Sequence, residues 1–332
     1  MKKKKIKVVM LHRHRFELWN APGWVAERLR REFPELEVVH LESYEQLDAE
    51  IEDAEAYIGW SIRPEQFAKA KKLRWVHSPA AAVHQLMFPE MVQSGVVVTN
   101  ARTVHGPVVA EGVLALLLAV ARRVASAVRY QQRHEWGQMA IYEERPRPRE
   151  LRGATLLLVG YGAIGRELVK RARAFEMKVV VVREHPRKEQ GIEVHGTEEL
   201  DAVLPRADFV VLAAPVTAKT TGLMNRERLG RMKSDAYVVN VGRGPLVDEE
   251  ALLEALREKK IAGAALDVFA TEPLPRESPL WEAPGLLITP HMTAIIDGDT
   301  LWARHYELIV ENMRRWLAGR EMLNVVDKSK GY

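Results

Sequence analysis

The chain has no cysteine among its 332 residues. Disulfides, thiolate metal ligation and a cysteine nucleophile are therefore excluded, and no metal centre is expected. Long apolar runs are absent too. The longest, residues 113–121, falls well short of the roughly 20 residues that a membrane-spanning helix requires. The lysines at positions 2–5 look like the start of a signal peptide. The stretch behind them, residues 6–11, is broken by Lys7 and followed by H-R-H-R. That is too short and too charged for a signal peptide's apolar region, so a soluble, cytoplasmic protein with no membrane partner is expected. An excess of one charge is also missing. Lysine and arginine number 49, aspartate and glutamate 45, for a net charge of +4. The lysines at positions 2–5 account for the whole excess. A chain otherwise neutral carries no electrostatic footprint for nucleic acid.

The chain is organised around residues 155–165, T-L-L-L-V-G-Y-G-A-I-G. A run of apolar residues suits a buried parallel strand. Gly160, Gly162 and Gly165 follow in the spacing G-x-G-x-x-G, and residues 166–176 have helical composition without Gly or Pro. Strand, glycine turn and helix form the context that makes this motif specific for a dinucleotide. The first glycine permits a tight turn, the second lets a pyrophosphate approach the backbone, and the third lets helix and strand pack closely. Free N–H groups and partial positive charge at the helix N-terminus face the phosphates. A glycine-rich turn without a ligand is the alternative.

Strand and helix patterns alternate on both sides of this unit. Before it, strands are expected at 6–11, 37–41, 56–60, 74–77 and 96–99, with helices at 22–32, 44–54 and 64–72. After it, strands are expected at 178–182, 209–212, 236–241, 263–266 and 286–288, and a last amphipathic helix at about 300–317. Such βα alternation predicts parallel sheets with helices on both faces, and the length predicts two domains. Pro107 opens a helix that is apolar nearly all round and is continued by residues 124–130. A homodimer seam along it is expected, with burial under the sheet as the alternative. Residues 135–152 are polar and proline-containing and read as a connection.

Three polar features stand at strand ends of the second block, where ligands sit in open α/β sheets. Arg243 lies between glycines in V-N-V-G-R-G, and its planar fork suits a carboxylate. Asp267 and Glu272 lie in A-L-D-V-F-A-T-E-P, and His291 in L-L-I-T-P-H. Singly, each has a bland reading: a loop arginine, capping carboxylates, a structural histidine. Together beside a dinucleotide motif they supply what reduction of a ketone needs. Hydride comes from a nicotinamide, a histidine delivers the proton, a carboxylate orients that histidine, and an arginine holds and polarises the substrate.

These segments resemble the D-isomer-specific 2-hydroxyacid dehydrogenase family over nearly the whole chain. The resemblance is carried by V-A-E-G-V-L-A-L-L-L-A, by E-L-R-G-A-T-L-L-L-V-G-Y-G-A-I-G-R, and by V-N-V-G-R-G-P-L-V-D-E-E-A-L. A-L-D-V-F-A-T-E-P-L-P, I-T-P-H and the ending L-A-G-R-E-M-L-N-V-V-D carry it further. It implies an α/β fold of two doubly wound parallel-sheet domains. One is a flavodoxin-like, discontinuous substrate domain, residues 1–101 and 293–332, and the other a Rossmann nucleotide-binding domain, residues 102–292. It implies Arg243 as the substrate-carboxylate binder, His291 as acid/base and Glu272 as its partner. It places Gly160, Gly162, Ala163, Ile164, Gly165, Pro215, Thr221, Val241, Gly242 and Asp267 around the cofactor, with Asp267 beside the nicotinamide. It also implies a homodimer. The expected activity is reduction of a small 2-keto acid, glyoxylate- or hydroxypyruvate-like, to a D-2-hydroxy acid. A nucleotide-sensing corepressor on the same scaffold and a phosphite dehydrogenase-like enzyme are the alternatives. Two departures stand out. The loop after residues 74–77 reads S-P-A-A-A-V-H instead of containing glycine, so the substrate carboxylate falls to the backbone amides of Ala80, Ala81 and Ala82. Ala294 replaces a small glycine step after His291. Trp60, after a first-block strand, either walls the substrate pocket or packs in the core.

For the cofactor, an NAD-binding unit places an acidic residue about 20 positions past the glycines, on the ribose 2′-hydroxyl. Here residues 178–182 run into R-E-H-P-R-K, and Arg183 takes the acidic position. Arg183, with Arg187 and Lys188, suits a 2′-phosphate. Glu184, one residue on, opposes it. NADP is therefore expected over NAD.

Overall fold

The computed structural model describes residues 5–331; the lysines at positions 2–4 of the basic tail lie outside the described residues. The chain divides into two compact units, Met1–His105 with Ile296–Tyr332, and Gly106–Ile295.

The first unit opens with five strands, β1 (Ile6–Leu11), β2 (Leu36–Leu41), β3 (Ala56–Gly59), β4 (Trp75–Ser78) and β5 (Val97–Asn100). Four helices are interleaved, α1 (Gly23–Glu32), α2 (Tyr44–Glu50), α3 (Pro64–Lys69) and α4 (Pro89–Gln93). The strands form one parallel sheet in the order β2-β1-β3-β4-β5. Side chains alternate across a strand, so β1 serves two cores. Val8 and Met10 pack with Val25 and Leu29 of α1. Val9 and Leu11 pack with Leu47 of α2 and Ile51. Helices α2 and α3 stop earlier than the sequence pattern suggests, because the chain must turn to enter β3 at Ala56 and β4 at Trp75.

The second unit begins with α5 (Gly106–Ala121), α6 (Val124–Gln132) and α7 (Gln138–Glu143). Helix α5 is covered within its own unit. Val108, Val109, Val113, Leu116 and Leu117 are buried, and only a narrow stripe through Glu111 and Ala115 is exposed. Burial under the sheet is thus the correct reading of this helix, and its apolar surface is no argument for a dimer. Arg123, in a left-handed conformation, breaks it from α6. Helix α7 corrects the expectation of a plain connection over 135–152. Six residues give too little periodicity to read.

There follow β6 (Thr155–Val159), α8 (Ala163–Ala174), β7 (Lys178–Val182), β8 (Glu193–His195), α9 (Leu200–Val203), β9 (Phe209–Leu212) and α10 (Arg226–Arg231). The unit closes with β10 (Tyr237–Asn240), α11 (Glu249–Arg257), β11 (Gly263–Leu266) and β12 (Leu286–Ile288). All seven strands are parallel, ordered β12-β11-β10-β9-β6-β7-β8. The order reverses between β6 and β9, and such a reversal opens a crevice at the carboxyl ends of the strands.

The last helix, α12 (Gly298–Leu317), belongs to the first unit. Asp297 caps it by accepting from the Thr300 amide at 2.8 Å. Its Trp302, Tyr306, Ile309 and Met313 complete the core that Val8 and Met10 enter. Behind it the chain runs along β5, where the Val326 amide donates to the Val98 carbonyl at 2.8 Å. Among the described residues, no helix is long and apolar enough to cross a membrane, and no cluster of side chains fits a metal ion.

Candidate active site

In the second unit the glycine turn sits at the sheet's reversal point. Gly160 follows β6 with φ 100°, and a Cβ there would lie 2.6 Å from the Ala213 carbonyl oxygen after β9. Only glycine tolerates both conditions. A Cβ on Gly165 would meet the Gly160 carbonyl at 2.6 Å and Leu158 at 3.1 Å, so α8 lies directly on β6. Gly162 differs. It is the N-cap of α8, no side chain caps it, and no protein atom comes within 4 Å of where its Cβ would stand. The uncapped helix N-terminus therefore faces open space through the one glycine that no protein contact demands. A dinucleotide pyrophosphate fits this cradle.

Ala163 and Ile164 begin α8, half-buried. Across the reversal point, Pro215 and Thr221 lie exposed on the loop after β9, with the Thr221 hydroxyl donating to the Thr217 carbonyl at 2.9 Å. Val241 and Gly242 are buried after β10. Arg183 follows β7 directly, with its guanidinium 5.8 Å from the Tyr161 ring centre and 4.0 Å from Glu189. Burial, first, holds the Tyr161 phenol above its ordinary value. Glu184 is engaged by Lys219 at 3.1 Å. Arg187 and Lys188 are exposed on the same loop.

Three further loops leave the carboxyl ends of β10, β11 and β12. The loop after β10 is shaped by Asn240, fully buried. Its side chain accepts from the Gly242 amide at 3.0 Å and donates to the Arg243 carbonyl at 2.9 Å. These two bonds close the turn and leave the Arg243 side chain exposed. Gly244 is pressed on the next loop so tightly that a Cβ would overlap the backbone of Phe269 and Ala270. That second loop carries Glu272. Its Oε1 accepts from the Phe269 amide at 3.0 Å, while Glu249 of α11 accepts from the Ala270 amide at 2.7 Å.

The third loop carries His291, whose backbone is left-handed at φ 51°. Its amide donates to the Asp267 carbonyl at 2.8 Å, and its Nδ1 lies 2.7 Å from Glu272 Oε2. With Nδ1 turned to the carboxylate, Nε2 is the ring nitrogen left for a reactant, and the side chain is about half exposed. Asp267, expected beside the nicotinamide, is fully buried. Its Oδ1 accepts from the Thr289 hydroxyl and the Met292 amide, and its Oδ2 from the Thr293 amide and hydroxyl. Both oxygens are thus occupied by the loop that bears His291. Asn240, Glu249, Thr289 and Thr293 escaped the sequence reading. Short polar residues flanking strand ends were the available signal.

In the first unit, Trp60 follows β3, half-buried, with its indole N–H donating to the Trp19 carbonyl at 3.1 Å. The loop after β4 is held by two carbonyls. Ala80 receives a hydrogen bond from the Ala101 amide at 3.0 Å and Ala81 from the Asn100 side chain at 2.7 Å. The Ala80 amide donates to Ser78 Oγ at 3.2 Å. Among the described residues, the Ala81 and Ala82 amides have no protein acceptor, so two of the three expected amide donors are open to an anion.

Residues 114–293 match the family model described as D-isomer specific 2-hydroxyacid dehydrogenase, NAD binding domain. The chain is 34% identical over 319 residues to a glyoxylate reductase of Korarchaeum cryptofilum, covering 90% of this chain and 94% of that protein. It is 34% identical over 307 residues to a D-3-phosphoglycerate dehydrogenase of Methanocaldococcus jannaschii. That match covers 91% of this chain but spans only 57% of that protein's length. A solved D-isomer specific 2-hydroxyacid dehydrogenase from Xanthobacter autotrophicus Py2, in complex with NADPH and MES, is similar with a TM-score of 0.80. Identity there is 30%, over 98% of this chain and 99% of that one.

Proposed function

The chain belongs to the D-isomer-specific 2-hydroxyacid dehydrogenase family and is an NAD(P)-dependent oxidoreductase; from that premise we propose that it reduces a small 2-keto acid, of glyoxylate or hydroxypyruvate type, to the D-2-hydroxy acid with NADPH. The observation that carries this reading is the 2.7 Å contact between His291 Nδ1 and Glu272. Glu272 accepts the Nδ1 proton and fixes the ring, and Nε2 donates a proton to the substrate carbonyl oxygen in reduction and takes it back in oxidation. Arg243 presents its fork to the substrate carboxylate and stabilises charge growing on the carbonyl oxygen. In the first unit, the open amides of Ala81 and Ala82 suit the same kind of anion. The glycine cradle holds the dinucleotide, whose nicotinamide supplies the hydride when bound.

The preference for NADPH rests on Arg183 standing in the acidic position with Arg187 and Lys188 nearby, while Lys219 engages Glu184. The Xanthobacter relative was solved with NADPH. The chain forms a homodimer through the second unit. The support is an exposed apolar set on α6, α7 and the turn between them: Val124, Val128, Trp136, Met139 and Tyr142, with Trp136 91% exposed. A monomeric mass by light scattering at micromolar concentration overturns the dimer.

The test of the activity is a spectrophotometric panel of 2-keto acids with both nicotinamides, on the wild type and on His291→Ala. We expect turnover of the small keto acids, and a variant that binds NADPH normally with kcat lowered by about a hundredfold or more. Near-normal turnover in the variant removes His291 from the mechanism. A panel with no turnover returns the chain to the binding-protein reading.

A further inference from the structure

Four histidines other than His291 lie together inside the first unit. His12 follows β1, His77 is on β4, His105 ends the first segment, and His305 is on α12. His12, His77 and His305 are at most 2% exposed. They are linked through aromatic rings: His12 is 5.1 Å from Trp302, Trp302 4.8 Å from His305, and His305 5.6 Å from His105. His105 in turn is 5.8 Å from Trp19. Both ring nitrogens of His12 and of His305, Nε2 of His77 and Nδ1 of His105 are buried without a protein partner. Buried polar atoms are nearly always paired, and six nitrogens without a protein partner among the described residues set this cluster apart.

The cluster also lacks any means of accepting charge. The titratable and charged groups that act on the four are one another, His40 of β2 and Arg304 of α12. None is a carboxylate. Arg304 faces Asp297 at the start of its helix, and His40 is under the influence of Arg30, Glu42 and Arg13. A proton entering the cluster therefore meets burial and like charge together.

The consequence reaches the candidate substrate loop. His77 on β4 is followed by Ser78, whose hydroxyl accepts from the Ala80 amide of the loop bearing the open Ala81 and Ala82 amides, and the His105 ring abuts Trp19, whose carbonyl anchors Trp60. We propose that His12, His77, His105 and His305 form an acid-responsive floor beneath the substrate loop: packed while neutral, it loosens cooperatively when protons enter and releases the 79–82 backbone. The role assigned to that loop rests on the reductase reading above; the floor itself does not. Burial drives His12 and His77 down to about 3 and His105 to about 4, so the floor resists protonation until the loosened state takes the protons.

The experiment compares the full-length wild type with His305→Phe, which removes two orphaned nitrogens and keeps a ring. KM for glyoxylate and tryptophan emission are followed from about pH 7.5 to pH 5. Six of the eight tryptophans, among them Trp19 and Trp302, lie in the first unit, so emission reports on it. In the wild type KM is expected to rise by about tenfold or more toward pH 5, with a coincident emission change and uptake of more than one proton. His305→Phe is expected to match wild-type KM near pH 7.5 and to move the emission transition to lower pH. His291 is the same in both proteins, so its contribution to activity cancels from the comparison. Should His305→Phe fold poorly, His12→Leu carries the same expectation. A flat emission profile in the wild type, or variants that keep the wild-type profile, overturns the floor. Absence of keto-acid turnover near pH 7.5 defeats the reductase reading instead, and the emission and proton-uptake measurements still decide the floor.

Discussion

Asp267 holds Thr293 twice: its Oδ2 accepts from the Thr293 amide at 3.1 Å and from the Thr293 hydroxyl at 2.6 Å. With Thr289 and Met292 on Oδ1, the carboxylate closes the loop on both sides of His291. A left-handed backbone at a histidine is uncommon and persists only where its surroundings impose it. Asp267 imposes it here. Asp267→Asn turns an amide NH₂ toward two donors and forfeits hydrogen bonds worth about 1.5–3 kcal/mol each. The expected outcome is a kcat lower by about tenfold or more, a lower urea midpoint, and NADPH affinity within about twofold of wild type. An unchanged kcat would show that His291 keeps its place without the clamp.

The glycines separate by what surrounds them. A Cβ at Gly162 meets nothing, whereas one at Gly160 meets the Ala213 carbonyl at 2.6 Å and requires φ 100°. Gly162→Ala should keep the wild-type Tm within a degree or so and weaken NADPH binding by about tenfold or more, since the methyl group enters the space left for phosphate. Gly160→Ala should lower Tm outright through strain at positive φ and collision. Calorimetry and cofactor titration on the two variants decide it, and equal Tm losses would remove the distinction.

Gly244 is a third kind. Its missing side chain lets the Arg243 turn rest on the Phe269–Ala270 backbone, which is the floor of the Glu272 loop. Gly244→Ala must push the two loops apart, because neither backbone can rotate away as a side chain would. Expected is a loss of stability of about 1–3 kcal/mol, together with a kcat/KM loss that exceeds that of Arg243→Lys. Wild-type stability in Gly244→Ala would contradict this contact.

Much of the fold is legible in the sequence because most of its strands are buried on both faces. Residues 178–182, 209–212, 263–266 and 286–288 are short apolar runs bounded by polar or turn residues, and the observed strands coincide with them. β8 is not legible. It lies at the sheet edge, and Glu-Val-His carries no buried run. The site divides similarly. Arg243, Glu272 and His291 stand out as polar residues after apolar strands. The bonds that orient them join positions far apart in sequence, such as Asp267 to Thr293 and Glu249 to Ala270, and only the sheet order makes them neighbours. His12, His77, His105 and His305 had no sequence signal at all, coming from the residue after β1, from β4, from a segment end and from the last helix.

Arg183 decides the cofactor in the proposed reading. A charge-assisted contact to a 2′-phosphate is worth about 1.5–3 kcal/mol, or one to two decades. The kcat/KM preference for NADPH should therefore be about tenfold or more, and Arg183→Asp should erase or invert it. Lys219→Ala is the complementary variant. It removes the cation 3.1 Å from Glu184 and should reduce the preference by making the loop less positive. A wild type that prefers NADH would show that Glu184 reads the ribose.

Stability should fall toward acid, and the sign follows from the histidines. His12, His77 and His105 are held by burial at about 3, 3 and 4 in the folded protein, against an ordinary 6.5. His305 is lowered as well, by burial first. Between those values the unfolded chain binds these protons and the folded chain does not. Stability is therefore intact above about pH 6.5 and declines as pH falls toward 4, with a slope of several protons. His195 acts oppositely. Hydrogen bonds that it donates to Glu193 and Glu199 raise it, so its contribution is complete below about 6.5 and disappears as pH rises through its folded value. Glu193 itself is lowered to about 2, first by Arg206 and then by His195, and keeps its charge throughout this window. One half-buried histidine cannot offset three buried ones and the half-buried His105, so the net profile drops on the acid side. Urea unfolding at half-unit steps from about pH 8 to pH 4.5 measures the slope directly. His195→Gln should leave the acid limb intact and flatten only the fall above about pH 6.5. His305→Phe should reduce the acid slope by about one proton. An acid limb with the same slope in His305→Phe as in the wild type would assign the loss to other groups.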